Sequence, residues 1–90
     1  MKYTPKGVEN VKDSPNRLDA VKKLCKSMDA RVESFYLTMG RYDMVLIMDA
    51  PDSATVAKLI LKIASQGSVS TETLPAFTEE EYREIITYLP

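Results

Sequence analysis

Thr38-Met39-Gly40-Arg41-Tyr42-Asp43, continued without a break by Met44-Val45-Leu46-Ile47-Met48, decides how the chain folds. A glycine between two strand-like runs supplies the positive φ of a hairpin turn. The strand that follows, over about 42–49, is apolar on both faces: Val45 and Ile47 on one, Met44, Leu46 and Met48 on the other. An antiparallel strand with one wet face alternates apolar and polar residues. This strand does not alternate, so it is expected to be central and covered on both sides.

The neighbours of this stretch extend the pattern. Arg31 to Met39 reads as a strand with Phe35, Leu37 and Met39 on one face and Val32, Ser34, Tyr36 and Thr38 on the other. Ala50-Pro51-Asp52 ends the apolar strand, and Asp52 caps a helix over about 53–66, with Gly67 as its stop. Ser68 to Leu74 is a β-branched, polar strand closed by Pro75. Thr78-Glu79-Glu80-Glu81 is a capping box opening a helix over about 79–88, anchored by Ile85, Ile86 and Leu89, with Phe77 stapled onto Tyr82. Upstream, Ser14 is expected as N-cap and Pro15 as first residue of a helix over about 15–28, with Leu18, Val21, Leu24, Cys25 and Met28 as its stripe. Before it, Thr4-Pro5-Lys6-Gly7 reads as a cap and turn, and Met1 to Thr4 as a stub of strand.

The order is β-α-β-β-α-β plus a C-terminal helix, with the first strand truncated: an α+β, ferredoxin-like split βαβ. Two helices cover one sheet face only. The second face of the 42–49 strand then calls for the sheet of another copy, which predicts a face-to-face homodimer or higher oligomer through the open sheet face.

Ninety residues make a single domain, and a domain of this size is helped by self-association. Lys and Arg total 12 against 13 acids, a net charge of −1. That balance lacks the basic footprint of nucleic-acid binding or of a polybasic membrane anchor. The longest apolar run, Met44 to Met48, falls far short of the roughly 20 residues of a membrane span. The N-terminus shows no apolar segment of a signal peptide, and Cys25 is the one cysteine, so a cytoplasmic location is expected. There is no histidine, which removes the commonest general base and transition-metal ligand. No cofactor or metal is expected.

Tyr3-Thr4-Pro5-Lys6-Gly7, Lys12-Asp13-Ser14-Pro15, Met39-Gly40-Arg41-Tyr42-Asp43, Gly67-Ser68-Val69-Ser70-Thr71-Glu72-Thr73-Leu74 and Ala76-Phe77-Thr78-Glu79-Glu80-Glu81 resemble the GYD-domain family over nearly the whole chain. That resemblance implies a dimeric α/β barrel of ferredoxin-like fold and leaves the activity open. More distantly, Gly40-x-Tyr42-Asp43 and Gly67-x-Val69 look like the effector-binding domain of Lrp/AsnC-type regulators, which bind small effectors between subunits. The DNA-reading half of such regulators has no counterpart here. The resemblance further implies a full apolar first strand, where this chain has Met1-Lys2. Its neighbours would be left with unpaired backbone groups, so either the start is truncated or a partner segment fills the slot.

Two groups of side chains are candidates for chemistry. Arg41 and Asp43 could hold the ends of a zwitterionic ligand with Tyr42 at the mouth; alternatively Gly40 makes the turn, Asp43 bonds turn amides, Tyr42 packs and Arg41 pairs with Asp43. Tyr36, Thr38, Thr71, Glu72 and Thr73 could be the polar groups of an otherwise apolar pocket, or cross-strand pairs on a solvated edge. Cys25 reads as a small buried hydrophobe, because no histidine activates it. The Met39, Met44 and Met48 cluster reads as core filling. These features predict a non-catalytic small-molecule-binding or regulatory module, with ligand residues Tyr36, Arg41, Tyr42, Asp43 and Glu72. The alternatives are a cofactor-independent oxygenase or isomerase, with Asp43, Glu72 or a tyrosine as its acid or base, and a purely structural assembly unit.

Overall fold

The structure, a computed structural model, describes all 90 residues. It is α+β, in the order β1 (Lys2–Tyr3), α1 (Pro5–Glu9), a 3₁₀ turn (Val11–Asp13), α2 (Ser14–Ser27), β2 (Arg31–Leu37), β3 (Met44–Asp49), α3 (Ser53–Ser65), β4 (Val69–Ser70) and α4 (Glu79–Thr87). β2 and β3 form one antiparallel hairpin, and β1 and β4 a second, shorter antiparallel pair. Met1 bridges them: its amino group donates to the Met44 carbonyl at 2.8 Å, and its own carbonyl accepts the Asp43 and Met44 amides at 3.0 and 3.1 Å.

Local chemistry explains most of the ends. Thr4 caps α1 by accepting the Gly7 amide, with Pro5 opening the helix. Asp52 caps α3 by accepting the Thr55 amide at 2.7 Å. Gly67, at φ +80°, reverses the chain out of α3. At the head of α2 the expected cap is corrected: Asp13 precedes the helix without a side-chain cap bond, and Ser14 is its first residue. The Ser14 hydroxyl is instead shared with the Tyr3 hydroxyl at 3.2 Å, a contact available only once β1 lies beside α2.

The faces of β2 are also corrected. The register runs Val32 opposite Met48, then Ser34 opposite Ile47, so Glu33 is a bulge. A bulge shifts the side-chain alternation by one. Val32 therefore joins Phe35 and Leu37 on the face shared with Met48, Leu46 and Met44, where it packs on the core. That core is small: Cys25, Ala30, Met44, Leu59 and Ile63 are its buried apolar residues, with Cys25 and Leu59 fully enclosed. Gly7 is buried for a steric reason, since a Cβ there would lie 2.0 Å from the Ser68 carbonyl oxygen.

Two expectations about the outer elements fail. The strand over 68–74 shrinks to Val69–Ser70. The C-terminal helix forms with its full capping box, but Ile85, Ile86 and Leu89 anchor nothing and stay 45, 48 and 62% exposed. Val45 and Ile47, on the far face of β3, are 42 and 50% exposed within the single chain, on the face where a second copy is expected. The short β4 goes with the two-residue β1. It pairs with β4 only at Lys2–Ser70 and Tyr3–Val69, and beyond Ser70 the chain has no strand to follow. Alternation from Met44 aims the backbone groups of Leu46 and Met48 at the same unfilled edge. No helix is long and apolar enough to cross a membrane.

Candidate functional site

The loop between β2 and β3 is closed by Thr38, whose amide donates to the Asp43 carbonyl at 2.8 Å and whose hydroxyl donates to the Tyr42 carbonyl at 2.7 Å. Gly40 takes φ +134° at the tip, a region favouring glycine, with open space around it. Asp43 does not bond turn amides. Its carboxylate accepts the Tyr3 amide at 2.8 Å across 40 residues of sequence, tying the loop to β1. Arg41 and Asp43 form no ion pair either. The two ion pairs of the chain are Arg31–Glu33 at 2.6 Å and Arg83–Glu79 at 3.0 Å, both well exposed, and so of little energetic weight.

The loop, β1 and the exit of β4 surround a polar cleft of about 220 Å³, lined by Met1, Lys2, Arg41, Tyr42, Ser70, Thr71 and Glu72. Within it the Tyr42 hydroxyl donates to the Glu72 carboxylate, and the Lys2 ammonium sits 5.8 Å from the Tyr42 ring centre, within cation–π range. The bond to Glu72 holds the Tyr42 hydroxyl above its ordinary pKa, with burial and the Glu72 charge adding in the same direction. In that bond the phenol is the donor. Lys2 and Arg41 face a cleft that also holds Glu72, a charge set that suits a small ligand bearing both signs.

Three of the expected ligand residues meet here, since Arg41, Tyr42 and Glu72 line the cleft; Asp43 is outside its lining, with its carboxylate on the Tyr3 amide of β1. Tyr36 is elsewhere. It lies opposite Val45 on the outer face of the hairpin and is 57% exposed. Thr38 is occupied in closing the loop, and Thr73 is exposed past the cleft. Lys2 and Ser70 went unnoticed in the sequence, because pairing of β1 with β4 brings them to the loop and no local pattern signals that pairing.

A second, apolar cavity of about 160 Å³ lies beneath α2, lined among others by Tyr3, Leu18, Val21, Phe35, Leu46 and Val69. It borders the edge of β3 left open by the short first strand. Cys25 is fully buried and its thiol is pushed up by that burial, the inert form expected of a core cysteine. No three His, Cys, Asp or Glu side chains converge in a group able to hold a metal ion.

Comparison with known proteins places the chain. The GYD domain family model matches residues 1–86. A protein of Thermus thermophilus, the glutamine synthetase and cystathionine beta-lyase binding protein, is 40% identical over 74 residues, covering 81% of this chain and 78% of its own length. No solved structure matches.

Proposed function

The chain belongs to the GYD domain family, and from that membership we propose that it is a non-catalytic binding or regulatory module that works as a homo-oligomer. The observation that carries this reading is the open apolar face of the β2–β3 hairpin, where Tyr36, Val45 and Ile47 are 57, 42 and 50% exposed. Contiguous exposed apolar surface marks a protein-interaction site. The name of the Thermus relative supports enzymes as partners, and the reading extends that partner class to this chain. Support for a non-catalytic reading comes from composition: the chain holds no histidine, the commonest general base. Isothermal titration of the purified chain into glutamine synthetase and cystathionine beta-lyase tests the partner. Saturable binding that Ile47→Asp removes is expected, and no heat with either enzyme counts against it.

The finer architecture is part of the same proposal: a ferredoxin-like sheet in the order β4-β1-β3-β2, two copies of which meet face to face as a dimeric α/β barrel. It is supported by the Met1 bonds that set β1 beside β3 while Lys2 and Tyr3 pair with β4. Light scattering across a concentration series should give at least twice the 10.1 kDa chain mass. A cytoplasmic location completes the reading.

The polar cleft favours a second role, holding a small effector such as an amino acid between Lys2, Arg41 and Glu72. A thermal-shift screen with amino acids and related metabolites should give a hit that Arg41→Ala or Glu72→Gln weakens. Hits that both variants leave unchanged would remove the cleft as the site.

A further inference from the structure

Past Glu72, whose carboxylate is held by Tyr42, the rest of the chain makes no contact described above with the residues before it. From Glu72 to Pro90 every residue is exposed, yet Glu79–Thr87 is a formed helix in which Thr78 and Glu81 complete both halves of a capping box. Tyr82, Ile85, Ile86 and Leu89, at spacings of three and four, build one apolar stripe along it, 45 to 62% exposed. A nine-residue helix is marginal in water without tertiary support, so this stripe belongs against a surface.

Charge divides at the same point in the chain. Residues 1–70 carry 11 of the 12 Lys and Arg and 8 of the 13 Asp and Glu, a formal balance of +3. Residues 71–90 carry Arg83 against Glu72, Glu79, Glu80, Glu81 and Glu84, a balance of −4. The arm therefore complements the rest of the chain it is attached to. It does not lie on that body: the molecule measures 51 × 31 × 18 Å, and its radius of gyration is 14.9 Å, against about 12 Å for a compact chain of this length. β1–β4 pairing and the Tyr42–Glu72 bond hold the root of the arm, and from there it leads away.

We propose that residues 71–90 are a clasp that docks on the body of a second copy of this chain, apolar stripe inward and glutamates toward the partner's lysines. This rests on the self-association reading and adds to its sheet-face contact. Reciprocal exchange of two arms closes a two-fold dimer and leaves no free stripe.

Carbodiimide coupling of carboxylates to lysines in a mixture of unlabelled and nitrogen-15 protein, read by mass spectrometry, tests it. Mixed-isotope links joining Glu79, Glu80 or Glu84 to body lysines such as Lys22, Lys23 or Lys26 are expected. Ile85→Asp combined with Ile86→Asp should lower their yield by about tenfold or more, with the melting temperature of the body retained because neither residue is in its core. Raising salt to about 1 M should lower it too. Links confined to single chains overturn the clasp in favour of an arm folded on its own body. Missing arm links in a sample that light scattering shows to be dimeric overturn the clasp and leave the sheet-face contact standing. A chain monomeric at every concentration overturns both.

Discussion

Tyr42 donates its hydroxyl to the carboxylate of Glu72, thirty residues further along the chain, and so joins the β2–β3 loop to the root of the C-terminal arm. The contact unites two of the five stretches that carry the family resemblance. It also has a sign that titration can read. The folded pKa of Tyr42 is raised, so the contact contributes fully below the ordinary tyrosine pKa of about 10 and is lost as pH rises through the higher folded value. Ultraviolet titration of the five tyrosines should show one that ionises late, and Tyr42→Phe should delete that late step. A Tyr42→Phe profile differing from the parent only by one ordinary tyrosine would remove the contact from solution.

Gly7→Ala tests the packing of α1 on the β4 approach. The added methyl would meet the Ser68 carbonyl at 2.0 Å, and backbone cannot step aside cheaply. Overpacking of this kind costs about 1–3 kcal/mol, a fall of roughly 4–8 °C in melting temperature for each kcal/mol in a domain of this size. An unchanged melting curve would mean that α1 sits further from Ser68 than the structure has it.

Leu59→Ala and Ile85→Ala should separate body from arm. Leu59 is fully buried in a core of five apolar residues, and its truncation is expected to cost about 2–5 kcal/mol in urea unfolding. Ile85 is 45% exposed, and in a dilute sample below the association range its loss should leave the urea midpoint of the body in place. Equal effects of the two substitutions in that sample would show α4 packed into the same core.

Acid should melt α4 before the body. Glu81 accepts the Thr78 amide at 3.0 Å, which lowers its pKa, and Glu79 and Glu80 share its helix turn. A depressed carboxylate contributes above its unfolded pKa and stops contributing as pH falls through the folded one. Circular dichroism at 222 nm should therefore lose amplitude below about pH 4, and Glu81→Gln, which keeps the box geometry without the charge, should flatten part of that loss. The Asp52 cap of α3 is lowered in the same sense by its bond from Thr55 and gives a second, body-borne step.

An extended apolar segment added ahead of Met1 should raise the melting temperature. Met1 already bonds Met44 as a strand neighbour, and the same line continued would meet the open backbone groups of Leu46 and Met48 and draw residues beyond Ser70 into β4. Equal melting temperatures for the two chains would sink this reading of the slot.

The three longer helices could be read almost to the residue, because capping and apolar spacing are local, whereas α1 reads in the sequence only as a cap and turn. Asp52, Thr78 and Gly67 act within four positions of themselves, and a single sequence displays that. The glycine turn and the apolar strand after it were equally plain. The Glu33 bulge was not: the alternation of Arg31 to Met39 looks regular until Val32 has to face Met48, and that demand comes from β3. For the candidate site, Arg41, Tyr42, Asp43 and Glu72 were picked out by residue type, whereas their roles were not. Asp43 was expected to serve its own turn and serves Tyr3 instead.

The sequence by itself determined the three longer helices, the β2–β3 hairpin, their order, the two apolar faces of β3 and the lack of histidine, since each follows from composition or from periods of two and 3.6 residues. Tertiary structure alone decided which elements touch. A strand exists in a sheet only where a neighbour supplies its hydrogen bonds, so a β1 of two residues left Ser68 to Leu74 with only two paired positions. It also left the edge of β3 open beyond Met44, while α4, capped and amphipathic as the sequence has it, stands exposed.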